Sequence, residues 1–212
     1  MTGSRSVRAE TLKVLSLPAT YFTLLATLGV SAALAIALTS SGQEGNTGLS
    51  FVRYTQAGFI VLGVVTATSE YSGGQIHVTL TAMPRRIALQ LAKMAALLIV
   101  AVPAATITVL VGAAVTRAPW SAAVEASAYL ALTAVIAAAV ATILRRSVPA
   151  VAGLLGYYFI AGPLLHGRAT VASYLPDAAS HDLGALGGSA VVLGWVLVAV
   201  GISAAVFHRR DA

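Results

Sequence analysis

Long apolar stretches alternate with short polar ones along the whole chain. Six stretches reach the length of about 20 residues that a helix needs to cross the ~30 Å hydrocarbon core of a bilayer. They cover residues 17–39, 53–70, 88–115, 122–144, 147–166 and 188–207. The alternating pattern of a membrane β-barrel is missing. We therefore predict an all-α integral membrane protein, with six transmembrane helices in a single domain over residues 1–212.

The polar stretch before the first apolar segment has helical periodicity. A helix over 5–16 would have one largely apolar face, formed by Val7, Thr11, Val14 and Leu15. Its opposite face would be polar, formed by Ser6, Glu10 and Lys13. This spacing suits a helix that lies in the membrane interface. The alternatives are a partly disordered charged flank and a signal peptide, although the apolar run that follows is longer than a typical signal core.

Composition supports the membrane class. Of 212 residues, 58% are hydrophobic and only 9% are charged, whereas a soluble domain carries about 25% charged residues. The formal net charge of +6 does not predict nucleic-acid binding, because the basic residues lie in small groups between apolar segments. The chain has no Cys, which excludes disulfides and thiol chemistry.

Basic residues are divided unevenly between alternate loops. One side has Arg5, Arg8, Lys13, Arg85, Arg86, Lys93, Arg145, Arg146, Arg209 and Arg210. The other side has only Arg53, Arg117 and Arg168. The positive-inside rule then predicts that both termini are cytoplasmic. High Ala, Val, Gly and Arg content is typical of a GC-rich bacterium, so we expect a multi-pass protein of the bacterial inner (cytoplasmic) membrane.

Motifs of membrane enzymes and of nucleotide binding are absent from the sequence. There is no H-E-x-x-H, no G-x-S-x-G and no G-x-x-x-x-G-K-[ST]. Asp177, His181 and Asp182 lie close together, and we expect a solvated loop there rather than a metal site. We predict no catalytic residue, no metal ligand and no cofactor on this chain.

Polar groups inside the predicted spans are mild: Thr106, Thr108, Tyr129, Thr133 and Thr142. Threonines at such positions are expected to bond to their own helix backbone. Ion-driven transport normally needs ionisable groups within the spans, and none lies near the middle of one. Any energy for transport should therefore come from another polypeptide.

The most polar interior stretch, TSEYSGGQIHVTLTAMPRR, covers residues 68–86. Ser72-Gly73-Gly74 should break the helix of the second span, since Gly permits positive φ. Residues 75–82 can then form about two short helical turns, with Ile76 and Leu80 at i and i+4 on one face. Segment 72–86 would thus be a short, partly apolar helix suited to a groove on a partner. The alternative is a plain connecting loop.

Basic residues border this segment and the hairpin between the fourth and fifth spans. We expect them to anchor the spans at the headgroups: Arg85, Arg86, Lys93, Arg145 and Arg146. The last two nearly fill the connection between spans four and five, so those spans should form a tight helical hairpin.

A pattern of nine residues in this stretch, followed by Lys93, resembles the membrane permease subunit of ABC type II exporters. The nine are Thr68, Glu70, Tyr71, Gly74, Ile76, Thr79, Leu80, Pro84 and Arg86. In that family the segment between spans two and three holds the coupling helix, which docks on the ATPase subunit. The six spans and the amphipathic N-terminal helix agree with the family. So does a longer outer segment, here residues 167–187, which often folds into short re-entrant helices.

The resemblance implies a half-size permease without its own ATPase. Two permeases would pair around a central path, and two copies of an ABC ATPase, which holds ATP and Mg, would attach below. Glu70 and Tyr71 would fix the end of span two, and Gly74 would allow the turn. Ile76 and Leu80 would pack into the ATPase groove.

The family also places spans one and five at the dimer interface. Small residues let helix backbones approach closely in lipid. Span five offers Ala152, Gly153 and Gly156, and span one offers Ala26, Ala33 and Ala37. The alternative is that these residues pack within one chain.

An apolar path suits a hydrophobic or amphipathic cargo: a drug, an antibiotic, a peptide or a lipid. The sequence thus predicts an ATP-driven exporter that works by alternating access. The competing class is a membrane scaffold or regulatory subunit that recruits a cytoplasmic factor without transport. A third class, a lipid-modifying membrane enzyme, lacks its motif.

Overall fold

The computed structural model describes residues 3–42, 48–72, 86–166, 175–177 and 186–210. Within these residues all regular structure is helical, which confirms the predicted class. The elements are α1 (Gly3–Ser16), α2 (Pro18–Ser40), α3 (Val52–Ser72), α4 (Arg86–Thr116), α5 (Trp120–Leu144), α6 (Ser147–Gly156), a π-helical turn (Tyr157–Ala161), α7 (Gly162–His166) and α8 (Leu186–Arg210).

A helix occupies each of the six predicted apolar stretches. Four described segments are long and apolar enough to cross a membrane: Pro18–Ser40, Ile87–Thr116, Trp120–Leu144 and Ser147–Leu165. The helix α3 is more polar, because Arg53, Thr55 and Gln56 fall in its first turns. In α8 the apolar part that the structure describes is Val191–Val206.

The helix α5 is the centre of the bundle. It packs against α3, α4, α6 and α8, and most of its residues are buried. Nine of the buried α5 residues are alanines, at positions 122, 123, 126, 131, 134, 137, 138, 139 and 141. Such small side chains let neighbouring backbones approach closely. At Gly63 of α3, a Cβ would collide with the carbonyl oxygen of Ala134 in α5.

In α2 the polar residues are buried and the large apolar residues are exposed, which is the reverse of the pattern in a helix of a soluble protein. Its buried residues are Thr20, Thr27, Ser31 and Ala35. Its exposed side chains include Phe22, which is 74% exposed, and Leu25, which is 67% exposed. Exposed apolar patches on this scale are rare in soluble monomers. Hydrocarbon around the bundle removes this cost, in agreement with a membrane protein.

The connections after α4 and α5 both turn on an arginine in the left-handed conformation. Arg117 follows α4 and Arg145 follows α5, each with φ 56°. After Arg117 the Ala118 amide donates to the Ala113 carbonyl, and the Arg145 amide donates to the Ala141 carbonyl. Each bond satisfies one of the last four carbonyls of its helix. The tight hairpin predicted at residues 145–146 is confirmed, since α6 begins at Ser147.

The fifth apolar stretch is not a uniform α-helix. A π-helical turn, Tyr157–Ala161, lies between α6 and α7. The Gly162 amide donates to the Tyr157 carbonyl, five residues back. Pro163 favours a wider turn here, because its ring would collide with the carbonyl four residues earlier in an α-helix.

The N-terminal helix packs along α4. Ser6, Glu10 and Val14 are each 8% exposed, whereas Leu12 is 60% exposed. The inward side of the helix therefore combines two residues of the predicted polar face with Val14 of the predicted apolar face. The predicted helix is present, and its placement in the membrane interface stays a prediction.

Candidate functional site

The helix ends that border the predicted coupling segment lie at the same end of the bundle as α1. A cavity there is lined by residues of α1, of the end of α3, of the start of α4 and of the end of α5; they include Glu10, Lys13, Ser69, Gln90, Lys93 and Thr142. Its volume of about 30 Å³ holds about one water molecule. We call this end of the bundle the α1 end. The segment between α3 and α4 must leave and return here.

The residues predicted for ATPase coupling fall mostly outside the described part of the chain. Segment 73–85 lies outside it, and so do Gly74, Ile76, Thr79, Leu80, Pro84 and Arg85. Glu70 and Tyr71 belong to the last turn of α3, and Arg86 begins α4, but their side chains are also outside the description. The docking role of this segment therefore stays a prediction.

The anchoring residues that the structure describes gather at the α1 end. Lys93 is half-buried and lines the cavity with Lys13 and Glu10. Arg145 and Arg146 follow the end of α5, which borders the same cavity. The chain thus carries charge of mainly positive sign at this end, where headgroup phosphates would lie.

A groove of about 470 Å³ runs between α2 and α3. Its lining includes Phe22, Thr23, Thr27, Tyr54, Thr55 and Val61. The two helices approach closely beside it, because Gly58 leaves room for the Thr27 side chain. Cβ at position 58 would collide with that side chain. Residues on this face of α2 and α3 therefore form one continuous concave surface.

The chemistry of the groove is apolar with a few acceptor oxygens. Within the described part of the chain, no charged residue lines it. Its threonine hydroxyl protons are engaged: Thr23 donates to the Ala19 carbonyl at 2.7 Å, and Thr27 to the Thr23 carbonyl at 2.6 Å. Thr55 Oγ1 lies 3.0 Å from both Ser31 Oγ and the Phe51 carbonyl oxygen, so its single proton is shared between these two acceptors. Such a surface can take apolar and aromatic groups with occasional donors.

The residues predicted for the dimer interface lie on an open face. Ala152 and Gly153 are exposed, and Gly156 is half-exposed. Nothing among the described residues lies within 4 Å of a Cβ added at either glycine. Phe159, in the π turn that follows, contacts Tyr54 of the groove with ring centroids 6.4 Å apart. The open face and the groove therefore adjoin each other.

Buried polar pairs between helices were not predicted. The Tyr129 hydroxyl of α5 donates to Gln56 of α3, and Gln90 of α4 donates to Ser203 of α8 at 3.0 Å. By contrast, the expectation for the threonines is confirmed. Thr106, Thr108, Thr133 and Thr142 all donate to the carbonyl four residues earlier. The sequence did hold a signal for the missed pairs, because Gln56 and Gln90 each lie in an otherwise apolar helix and need a hydrogen-bond partner there.

Asp177 corrects another expectation. The predicted solvated loop is wrong at this residue, which is only 2% exposed. The Tyr157 hydroxyl donates to Asp177 Oδ1 at 3.1 Å, and Asp177 Oδ2 lies against Gly162. Burial of a carboxylate is costly without such partners, so the bond to Tyr157 accounts for its inward position. His181 and Asp182 lie outside the described residues.

No protein-family model matches the chain, and no curated protein matches it. A proposal for its function must therefore come from the residues and their arrangement.

Proposed function

We propose that this chain is the membrane permease subunit of an ATP-driven ABC exporter that moves a hydrophobic or amphipathic cargo. ATP would be hydrolysed on a separate ATPase. The main support for this proposal is the residue pattern from Thr68 to Lys93. This part of the sequence includes the segment between α3 and α4, whose two ends lie at the α1 end of the bundle. A segment that begins and ends at one membrane face can dock on a partner there and pass force to two helices at once.

The groove between α2 and α3 supports an apolar cargo. It is large enough, at about 470 Å³, for a ligand of the size that clefts of 300–1,000 Å³ usually hold. Among the residues that the structure describes, its lining has aromatic rings and acceptor oxygens but no charge. In a pair of permeases joined through α6, the groove of each copy would face the shared path, because it adjoins the open face of α6.

Alternating access needs an assembly with two stable arrangements. Two permeases and two ATPases would supply it, with ATP binding closing the ATPase pair and moving the permeases as rigid bodies. The helix α5, with its buried surface against four neighbours, would keep each permease intact during this motion. The sparsely buried α2 and α6 would provide the surfaces that separate and rejoin.

Membrane topology is a first prediction of this proposal. Six spans with cytoplasmic termini put position 72 inside and position 180 outside. Ser72→Cys and Ser180→Cys should therefore react with a membrane-impermeant maleimide from opposite sides in right-side-out vesicles. Background labelling is absent, since the chain has no Cys. Reaction of both positions from the same side would contradict the six-span arrangement.

Assembly is a second prediction, and it tests the proposed function. The chain should co-purify with an ABC ATPase as a complex of two permeases and two ATPases, measured by native mass spectrometry. Gly156→Leu fills the open face of α6 and should shift the complex towards one permease with one ATPase, because bulky side chains separate helix backbones. Gly194→Leu, on an open surface of α8, is the matched control. A stable two-and-two complex with Gly156→Leu would place the dimer interface elsewhere, and a chain that binds no ATPase would refute the exporter.

A further inference from the structure

The outer cluster around Asp177 has a geometry that the proposed function does not use. The Asp177 carboxylate touches both ends of the π turn. Oδ1 accepts the hydrogen bond from the Tyr157 side chain, at the first residue of the turn. Oδ2 lies where a Cβ of Gly162 would be, directly after the last residue of the turn. The Asp177 side chain, which belongs to a different segment of the chain, thus contacts both ends of the turn.

The two ends of the turn are also joined through the backbone. The Gly162 amide donates to the carbonyl of Tyr157, so the residue that binds Asp177 with its hydroxyl accepts the π-type bond with its carbonyl. A π turn holds one more residue than an α turn of the same height, and such turns are frequent at functional sites. Loss of the extra residue would rotate α7 by about 100° relative to α6.

The π turn is connected to the groove by its third residue, Phe159, while its second residue packs into the core. Tyr158 points inward and is 2% exposed, in a buried cluster with Ile60 and Val64 of α3 and Ala141 of α5. Phe159 contacts the ring of Tyr54, which lines the groove. A change in the turn would therefore move an aromatic side chain at the edge of the groove.

We propose that residues 175–177 form a latch on the fifth apolar stretch, in which Asp177 holds the π turn through Tyr157 and Gly162 and thereby fixes the Phe159–Tyr54 contact beside the groove. Asp177 is a positioning residue, because it acts through the turn. Engagement of the latch would keep this edge of the groove in one arrangement, and release would free it to change. The consequence for cargo rests on the proposed function; the latch itself does not.

Single-cysteine labelling tests the latch on the purified full chain. Leu175→Cys, at a half-buried position, reports release of the segment by its rate of reaction with a maleimide. Tyr157→Phe removes only the hydroxyl that binds Asp177, and a hydrogen bond to a charged group of this kind is worth about a tenfold shift in an equilibrium or more. We expect the labelling rate to rise about tenfold.

A second variant removes the latch from its other side. Gly162→Ala adds a Cβ that collides with Asp177 Oδ2, so it should also raise the rate. The double variant Tyr157→Phe/Gly162→Ala should add little to either change, because both release the same contact.

Two matched controls separate release of the latch from general loosening. Asp177 Oδ1 accepts its hydrogen bond from Tyr157 and not from the adjacent Tyr158, so Tyr158→Phe should leave the rate within about twofold, below the effect of losing one bond to the carboxylate. Gly194→Ala places its Cβ in open space and should do the same. Unchanged labelling with Tyr157→Phe and with Gly162→Ala, or an equal rise in all four variants, would overturn the latch.

The same variants distinguish failure of the latch from failure of the exporter. Labelling needs neither ATPase nor cargo. A tenfold rise in a chain that binds no ATPase would support the latch and refute the exporter. Should Tyr157→Phe prove unstable, Asp177→Ala, which removes the oxygen that accepts the Tyr157 hydrogen bond, replaces it; unchanged labelling there also contradicts the proposal.

Discussion

Ile76→Asp and Leu80→Asp should each release the ATPase from the permease, or leave it bound without stimulated ATP turnover. Docking of a short helix depends on a few buried apolar anchors. Each variant would place an unpaired carboxylate in an apolar groove, which costs about 3 kcal/mol or more. That cost corresponds to about a hundredfold loss of affinity. The measurement is the amount of co-purified ATPase and its turnover at matched expression.

Two variants of the same segment serve as controls for this experiment. Gln75→Ala is on the side predicted to be exposed, so it should change neither binding nor turnover. Arg86→Ala should mainly disturb insertion or anchoring, because its expected partners are lipid headgroups. If both aspartate variants keep a bound and stimulated ATPase, the segment is only a connecting loop, and the exporter proposal loses its main support.

Gly63→Ala should strongly destabilise the bundle, although it adds a single methyl group. The new Cβ would collide with the backbone carbonyl of Ala134, and a backbone atom in a buried helix cannot move aside by a change of rotamer. Overpacking in cores costs about 1–3 kcal/mol, and this site should lie at the upper end. For a chain of this size we expect the melting temperature in detergent to fall by about 10 °C.

Gly201→Ala is the matched control for the packing prediction. It makes the same chemical change in α8, where the added Cβ meets nothing within 4 Å. Because Ala favours a helix over Gly by about 1 kcal/mol, this variant should be neutral or slightly more stable. Equal melting temperatures for the two variants would show that α3 and α5 do not pack as closely as described.

The helical architecture could be predicted from the sequence because its signal is a sum over many residues. Each apolar stretch has about 20 residues of one character, so its helix was placed within a few residues: 17–39 against Pro18–Ser40, and 122–144 against Trp120–Leu144. The break between α5 and α6 could also be predicted from the sequence, because Arg145 and Arg146 interrupt an otherwise continuous apolar run.

Individual polar contacts could not be predicted in the same way. Each depends on the relative rotation of two helices, and hydropathy does not encode that rotation. Gln56 meets Tyr129 from a distant part of the sequence, and Asp177 reaches Tyr157 across the outer segment. The rotation of α1 could not be predicted for a related reason: its amphipathic pattern gives two faces, but the side that packs inward takes Ser6 and Glu10 from one face and Val14 from the other.

The central claim is that a separate ATPase drives this chain between two arrangements of its groove. The most direct test is the labelling of Ala57→Cys, a groove position, by a membrane-impermeant maleimide in inside-out vesicles that contain the chain and its proposed ATPase partner. We predict that ATP with vanadate changes the labelling rate markedly, and that Ile76→Asp abolishes the change. A rate that is the same with and without ATP, while the ATPase is bound and turning over, would contradict transport and identify the chain as a scaffold.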